Sequence, residues 1–212
     1  WGERKIGTIG LPLPGTDWKI MDADAFGQEK EPCPNGTPPD PVRHIGELVV
    51  SGPQVMLGYL NAPDETASHI QEHAGKHWLL TGDIGYMDPE GRVVLLDRKK
   101  ELNKVGGFSV FPREIEEVLG AHPAIQDVVA AGIPDRDAGE RVKTWLVLRS
   151  PHRGRISKAD VVAWCRERMV RYKVPAHVEF VEELPKNLLG KVQRRQLREN
   201  DPLYRAYHEQ GA

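Results

Sequence analysis

The stretch Leu96-Asp97-Arg98-Lys99-Lys100-Glu101-Leu102-Asn103-Lys104-Val105-Gly106-Gly107-Phe108 divides the chain into two parts of different character. Upstream, residues 1–97 carry 7 Lys+Arg against 15 Asp+Glu, a net of −8. Downstream, residues 98–212 carry 22 against 16, a net of +6. A change of sign at one point marks a domain boundary, placed here between Leu96 and Lys100. The basic half favours an anionic partner such as a nucleotide, a phosphorylated cofactor or a nucleic acid.

Outward from the divide, the patterns differ. The first part, residues 1–97, reads as short strands broken by turns. Strands are expected at Asp17–Met21, Glu47–Ser51 and Arg92–Leu96, the last behind the Asp88-Pro89-Glu90-Gly91 turn. Pro32–Pro41 holds five prolines in ten residues, so an exposed extended loop is expected. One helix is expected from Pro63 to about His73, stopped by Gly75. The second part, residues 98–212, alternates helix and strand. Pro112 opens a helix with Glu114, Glu116 and Glu117 at its positive end. Strands follow at Ile125–Ile133 and Glu140–Leu148. Ser157 caps a helix with Val161, Trp164, Cys165 and Met169 on one face. A strand at His177–Val181 and a last short helix near Arg194–Glu199 end the pattern. The expected fold is α+β: an antiparallel, barrel-like β-rich subdomain, then a small, mobile α+β domain.

The whole chain of 212 residues suffices for one large domain or two small ones. No apolar run approaches the roughly 18 residues of a membrane span. Cys33 and Cys165 stand far apart, which implies neither a disulfide framework nor a zinc cluster and suits a reducing cytoplasm. The chain opens on Trp1 without a methionine, so a trimmed piece of a longer protein is expected.

Several residues can carry chemistry. In Thr81-Gly82-Asp83, expected in a turn, the glycine admits a ligand close to the backbone. The aspartate offers two acceptor oxygens to a ribose diol. Arg98 is either a fork for phosphate or ribose oxygens or one member of a solvated charge cluster. Lys104 with Gly106-Gly107-Phe108 offers bare backbone for a narrow group beside a point charge, or a plain turn. Lys191 ends a loop, Leu184–Lys191, from which a lysine can reach a reaction centre and stabilise developing negative charge. It is otherwise a surface lysine in a basic tail with Arg194, Arg195 and Arg198. That tail lacks interleaved aromatics, so nucleic acid is not expected. His69, His73 and His77 have i, i+4, i+8 spacing, but Gly75 should end the helix first, and no metal site is expected.

Taken in order, the motifs resemble the C-terminal part of the acyl-adenylate-forming superfamily. They are Gly46-Glu47-Leu48 with Gly58-Tyr59, Thr81-Gly82-Asp83, Asp97-Arg98-Lys99-Lys100-Glu101, Lys104-Val105-Gly106-Gly107-Phe108, Pro112-x-Glu114-Ile115-Glu116 and Leu184-Pro185-Lys186…Gly190-Lys191. Gly52–Tyr59 and the Asp-Arg-Lys-Lys-Glu segment are most similar to long-chain fatty-acid–CoA ligases. The resemblance covers nearly the whole chain. Asn103 departs from it, standing where an aliphatic residue is usual, and the Pro32–Pro41 loop looks enlarged.

The resemblance implies an AMP-forming ligase: a fatty acid and ATP give acyl-adenylate, and CoA then gives the thioester. It implies that Asp83 binds the ribose hydroxyls, Arg98 ribose or phosphate, and that Leu95 packs near the nucleotide. Lys100 falls at the hinge, Lys191 enters the site for adenylation, and Lys104 with Gly106, Gly107 and Phe108 enters for thioester formation along the pantetheine of CoA. The family's phosphate loop and most of the acyl pocket are missing. The implied partner is therefore the remainder of the N-terminal domain, through which Mg2+ is held, and the isolated chain is expected to be inactive. The expected location is cytoplasmic, with no transmembrane segment and with peripheral membrane contact allowed. Two alternatives remain open: a ligase that loads a carrier protein, and a non-catalytic binding module with the family fold.

Overall fold

The computed structural model describes residues 5–209, and the chain divides into two compact units, Trp1–Lys100 and Glu101–Ala212. The first contains β1 (Asp17–Met21), β2 (Gly46–Ser51), α1 (Pro63–His69), β3 (Ile70–His73), β4 (Lys76–Met87) and β5 (Val93–Arg98). All its strand pairs are antiparallel. The long β4 has β2 on one edge and both β3 and β5 on the other, which curls the sheet into a half-barrel. Ile20, Leu48 and Val93 form one buried cluster and Met21, Val49 and Trp78 another, so neighbouring residues of β1 and β2 serve opposite faces.

The structure corrects three local expectations in this unit. The helix from Pro63 stops at His69, and Ile70–His73 pairs with Lys76–Leu79 as a hairpin. Ala74 and Gly75 take φ of 51° and 73° at its tip, the left-handed pair that such a hairpin turn requires. Thr81-Gly82-Asp83 lies inside β4 and not in a turn. In the Pro32–Pro41 loop, mostly exposed, Cys33 is buried and its amide donates to Met87 O at 2.7 Å.

The second unit contains β6 (Asn103–Val105), β7 (Phe108–Val110), α2 (Pro112–Gly120), β8 (Ile125–Asp135), β9 (Gly139–Leu148), α3 (Lys158–Arg166), β10 (His177–Phe180), α4 (Arg194–Asn200) and α5 (Pro202–Glu209). β9 is central: β8 pairs along one edge, and β10, in parallel, and β6 share the other. Both faces of the sheet are covered. Ile115 and Leu119 of α2 and Val161 and Cys165 of α3 pack with Ala130, Val142 and Leu146. Leu197 of α4 and Tyr204 of α5 pack with Val129, Ala131, Trp145 and Val147. Two-sided burial explains why β8 and β9 read as nearly continuous apolar runs.

α3 begins with the capping box expected of Ser157 and Asp160. α5, absent from the sequence-based expectation, is docked by a buried charge. Lys143 on β9 bonds Asp201, 3% exposed, and Glu179 at 2.6 Å. Asp201 in turn accepts the amide of Leu203 at 2.9 Å at the start of α5. Among the described residues, no helix is long and apolar enough to cross a membrane.

Candidate functional site

In the first unit, Asp83 and Arg98 are directly paired across β4 and β5, with Arg98 Nε 2.9 Å from Asp83 Oδ1. Between Leu80 and Ile84, β4 spends three residues against the single Leu48 of β2, so Thr81-Gly82-Asp83 forms a bulge. Gly82 has φ +71°, a left-handed conformation that disfavours other residues. Its amide donates to Glu47 Oε1 at 2.9 Å. Thr81 Oγ1 donates to Leu48 O at 2.7 Å and accepts the Asp83 amide at 3.1 Å. Arg98 also reaches Thr81 O at 3.3 Å. The carboxylate is thus fixed through its own backbone, and one oxygen is held by a guanidinium. Among the described residues, Asp83 Oδ2 has no partner, leaving it free to accept from a diol. Leu95 is not brought to this pair. It stands opposite Gly85, beyond a bulge at Leu96, and packs with Ile20, Leu48 and Val93.

In the second unit, β6 and β7 form a hairpin with Gly106 and Gly107 at its tip, φ +56° and +84°. Phe108 follows, 55% exposed, its ring stacked on Tyr172 with centroids 4.5 Å apart and planes at 13°. A cavity of about 350 Å³ opens here, lined by Gly106, Phe108, Arg141, Arg171, Tyr172 and Val174 among others. It combines bare backbone, an aromatic face and two guanidinium groups, which suits a narrow ligand ending in an anionic, ring-bearing group. Lys104 on β6 donates through Nζ to Ser109 Oγ at 3.2 Å, and its amide is accepted by Glu140 at 2.8 Å. Asn103 beside it is buried and accepts the Gly132 amide at 2.8 Å, while among the described residues its Nδ2 has no partner. A Cβ on Gly132 would stand 2.6 Å from the Asn103 oxygen, so the bare glycine is what makes room for the amide.

Lys191 lies on an exposed loop built around Asn187. The Asn187 side-chain oxygen accepts the amides of Leu189 and Lys191 at 3.0 and 2.9 Å, and its own amide donates to Lys191 O at 2.8 Å. Leu188 and Leu189 are almost fully exposed, so packing does not shape the tip. Among the described residues the Lys191 ammonium has no hydrogen-bond or ion-pair partner. Behind the loop, Arg194 on α4 bonds Glu101 at 3.1 Å and Glu116 at 2.7 Å, and Arg198 bonds Glu140 at 3.1 Å. The basic tail is therefore partly consumed in buried pairing: the Arg194 guanidinium loses hydration, but the two carboxylates outweigh that loss and raise its pKa.

The two lysine loops are anchored toward opposite ends of the β8–β9 hairpin. Gly106 N donates to Ala138 O at the closed end, at 2.8 Å. Lys186 bonds Asp127 near the open end, also at 2.8 Å. Asp127 and Asp135 bound the strand between, a separation of about 25 Å at the rise of a β-strand.

Other candidates are not brought together. His69 bonds Ser68, and His73 approaches Glu29 at 3.5 Å. Among the described residues, no group of three or more His, Cys, Asp or Glu is arranged to hold a metal ion. Cys165 is buried, and loss of hydration pushes its thiol up to about 11, which leaves it unreactive near neutrality. Sequence reasoning assigns no individual role to Glu47, Asn187, Arg171 or Tyr172. Asn187 carried a signal, since asparagine two residues before an amide often closes a local turn. Tyr172 carried none, because its partner Phe108 is 64 residues away.

Comparison with known proteins agrees with this architecture. Residues 114–191 match the AMP-binding enzyme C-terminal domain, and residues 1–60 match the AMP-binding enzyme family. A long-chain-fatty-acid–CoA ligase of Bacillus subtilis is 43% identical over 95% of this chain and 33% of its own length. One of Escherichia coli is 44% identical over 91% of this chain and 31% of its own. The crystal structure of ATP-bound MatB from Rhodopseudomonas palustris aligns with a TM-score of 0.80 at 34% identity, over 96% of this chain and 37% of that one. The chain spans about a third of the length of the relatives it matches.

Proposed function

Because the chain belongs to the AMP-binding enzyme family, we propose that it forms the C-terminal part of an AMP-forming fatty-acid–CoA ligase. The observation that carries this reading is the pairing of Asp83 with Arg98, together with two lysine loops anchored at opposite ends of one hairpin. In the first step a fatty-acid carboxylate oxygen attacks the α-phosphorus of ATP, and the bond to the departing pyrophosphate breaks. In the second, the CoA thiol gives up its proton, attacks the acyl carbon and displaces AMP.

Each residue has a part in these steps. Asp83 accepts from the ribose hydroxyls, and Arg98 holds that carboxylate and supports ribose or phosphate. Lys191 supplies positive charge as the phosphorus becomes crowded with negative oxygens. For the second step the Gly106-Gly107 backbone and Phe108 line the path of the pantetheine, with Lys104 beside it. Arg141, Arg171 and Tyr172 extend that path. Lys100, where the first unit ends, is the point about which the second unit turns between steps. Mg2+ is assigned to sequence outside this chain, and no step here is routed through it. The remainder of the N-terminal domain is the necessary partner, and the cytoplasm is the location this chemistry suits.

The test is the complete ligase that carries this chain, given a long-chain fatty acid, ATP and CoA. AMP, pyrophosphate and acyl-CoA are expected in equal amounts. Release of ADP, or transfer only to a carrier protein offered in parallel, overturns the proposal. The 212 residues alone are expected to form no acyl-CoA, and measurable product from them overturns that part.

A further inference from the structure

Glu47 is a buried charge to which the ligase reading gives no role. Glu47 on β2 is 4% exposed and is flanked by the apolar run Leu48-Val49-Val50. A carboxylate taken out of water is retained only if its oxygens find donors, and a sheet position of this kind is readily filled by an apolar side chain. Both oxygens of Glu47 are used. Oε1 accepts the amide of Gly82 at 2.9 Å. Oε2 accepts the ammonium of Lys99 at 2.9 Å, which also donates to Ala23 O at 2.5 Å.

The identity of these two partners is informative. Gly82 immediately precedes Asp83, and Lys99 immediately follows Arg98. One carboxylate therefore ties together the two segments that carry the Asp83–Arg98 pair, through the Gly82 amide and the Lys99 ammonium. The bulge at Gly82 has no regular ladder bond to hold it at this point, because Leu48 alone stands opposite Thr81-Gly82-Asp83. We propose that Glu47 is a positioning residue that sets the spacing of Asp83 and Arg98, and through it the recognition of a ribonucleotide's vicinal diol. This rests on the reading of Asp83 as the ribose-binding carboxylate.

Discrimination between ATP and 2′-deoxy-ATP reads this role directly, because it reports on the diol and is insensitive to a general loss of folded enzyme. The ratio of kcat/KM for the two nucleotides in the adenylation step is to be measured for the complete ligase, Asp83→Ala, Glu47→Gln, Glu47→Ala and Lys99→Met. Asp83→Ala should bring the ratio close to one. Glu47→Gln keeps an acceptor for Gly82 but loses the ion pair, so it and Lys99→Met should lower the ratio alike, by about threefold or more. Glu47→Ala loses both anchors and should fall further, by about tenfold. Should Glu47→Ala fail to fold, the Gln and Met variants still decide the matter. A wild-type ratio in both of these, with the ratio collapsed in Asp83→Ala, overturns the role of Glu47 and leaves the ribose reading standing. A wild-type ratio in Asp83→Ala overturns both.

Discussion

Arg98 Nε lies 2.9 Å from Asp83 Oδ1, across directly opposed positions of β4 and β5. The geometry makes the two residues one device. The guanidinium holds one carboxylate oxygen and, among the described residues, leaves the other without a partner, and the bulge at Gly82 takes Asp83 out of the ladder with β2. Arginine's planar fork fixes direction as well as charge, which a lysine at the same position does not.

Arg98→Lys should therefore lower kcat/KM for ATP by about tenfold or more in the complete ligase, although the charge is kept. The measurement is initial-rate adenylation across a range of ATP concentrations. A change of less than about twofold would show that direction is unimportant here.

Asn187 organises the loop that carries Lys191, since the neighbouring leucines are exposed and contribute no packing. Asn187→Ala should slow adenylation by about tenfold and leave the melting temperature within about a degree, as expected for an exposed loop. Asn187→Asp, whose carboxylate oxygen can accept the same two amides, should recover most of the rate. Equal losses in the two variants would remove Asn187 from this role.

The Lys143–Asp201 pair is a stability determinant rather than a site. Burial opposes the charged form of Lys143, but its bonds to Asp201 and Glu179 outweigh that and raise its pKa. Asp201→Ala leaves a buried ammonium with only the half-exposed Glu179, and should cost about 3–5 kcal/mol in urea unfolding. The double change Lys143→Met with Asp201→Ala should cost less than Asp201→Ala alone, because no buried charge is stranded. A double variant less stable than the single one would contradict this.

Cys165 gives the fold an alkaline limit. Its thiol is pushed up to about 11 by burial, against about 8.5 in an unfolded chain. The folded state therefore holds its proton more tightly. The associated stability is complete below about pH 8.5 and is lost as pH rises through about 11, on the order of 3 kcal/mol in all. Cys165→Val should flatten stability over that range. An unchanged alkaline slope in this variant would refute the assignment.

What was legible in the sequence follows from how local each feature is. The strands of β1, β2, β8 and β9 and the Ser157 cap announce themselves through neighbouring residues, and the structure forms each of them. The local sequence predicts a helix from Pro63 to about His73, stopped by Gly75, whereas Ile70–His73 is claimed by its hairpin partner. The bulge at Thr81–Asp83 looks like a turn until β2 and β5 are placed on either side. α5 was missed because it is docked by Asp201 on Lys143, 58 residues away. The motifs name the residues of the candidate sites but not their supporting contacts: Glu47 reaches Gly82 over 35 residues and Lys99 over 52.

The second unit bears two lysine loops at opposite ends of one hairpin, and the proposed function gives each of them one half of the reaction. The decisive measurement assays the two half-reactions separately in the complete ligase with Lys191→Ala and Lys104→Ala. Lys191→Ala should cut acyl-adenylate formation by about 10²-fold or more while thioester formation from supplied acyl-adenylate largely survives. Lys104→Ala should do the reverse, impairing the thioester step and sparing adenylation. If either substitution depressed both half-reactions equally, the division of labour between the two ends would be wrong.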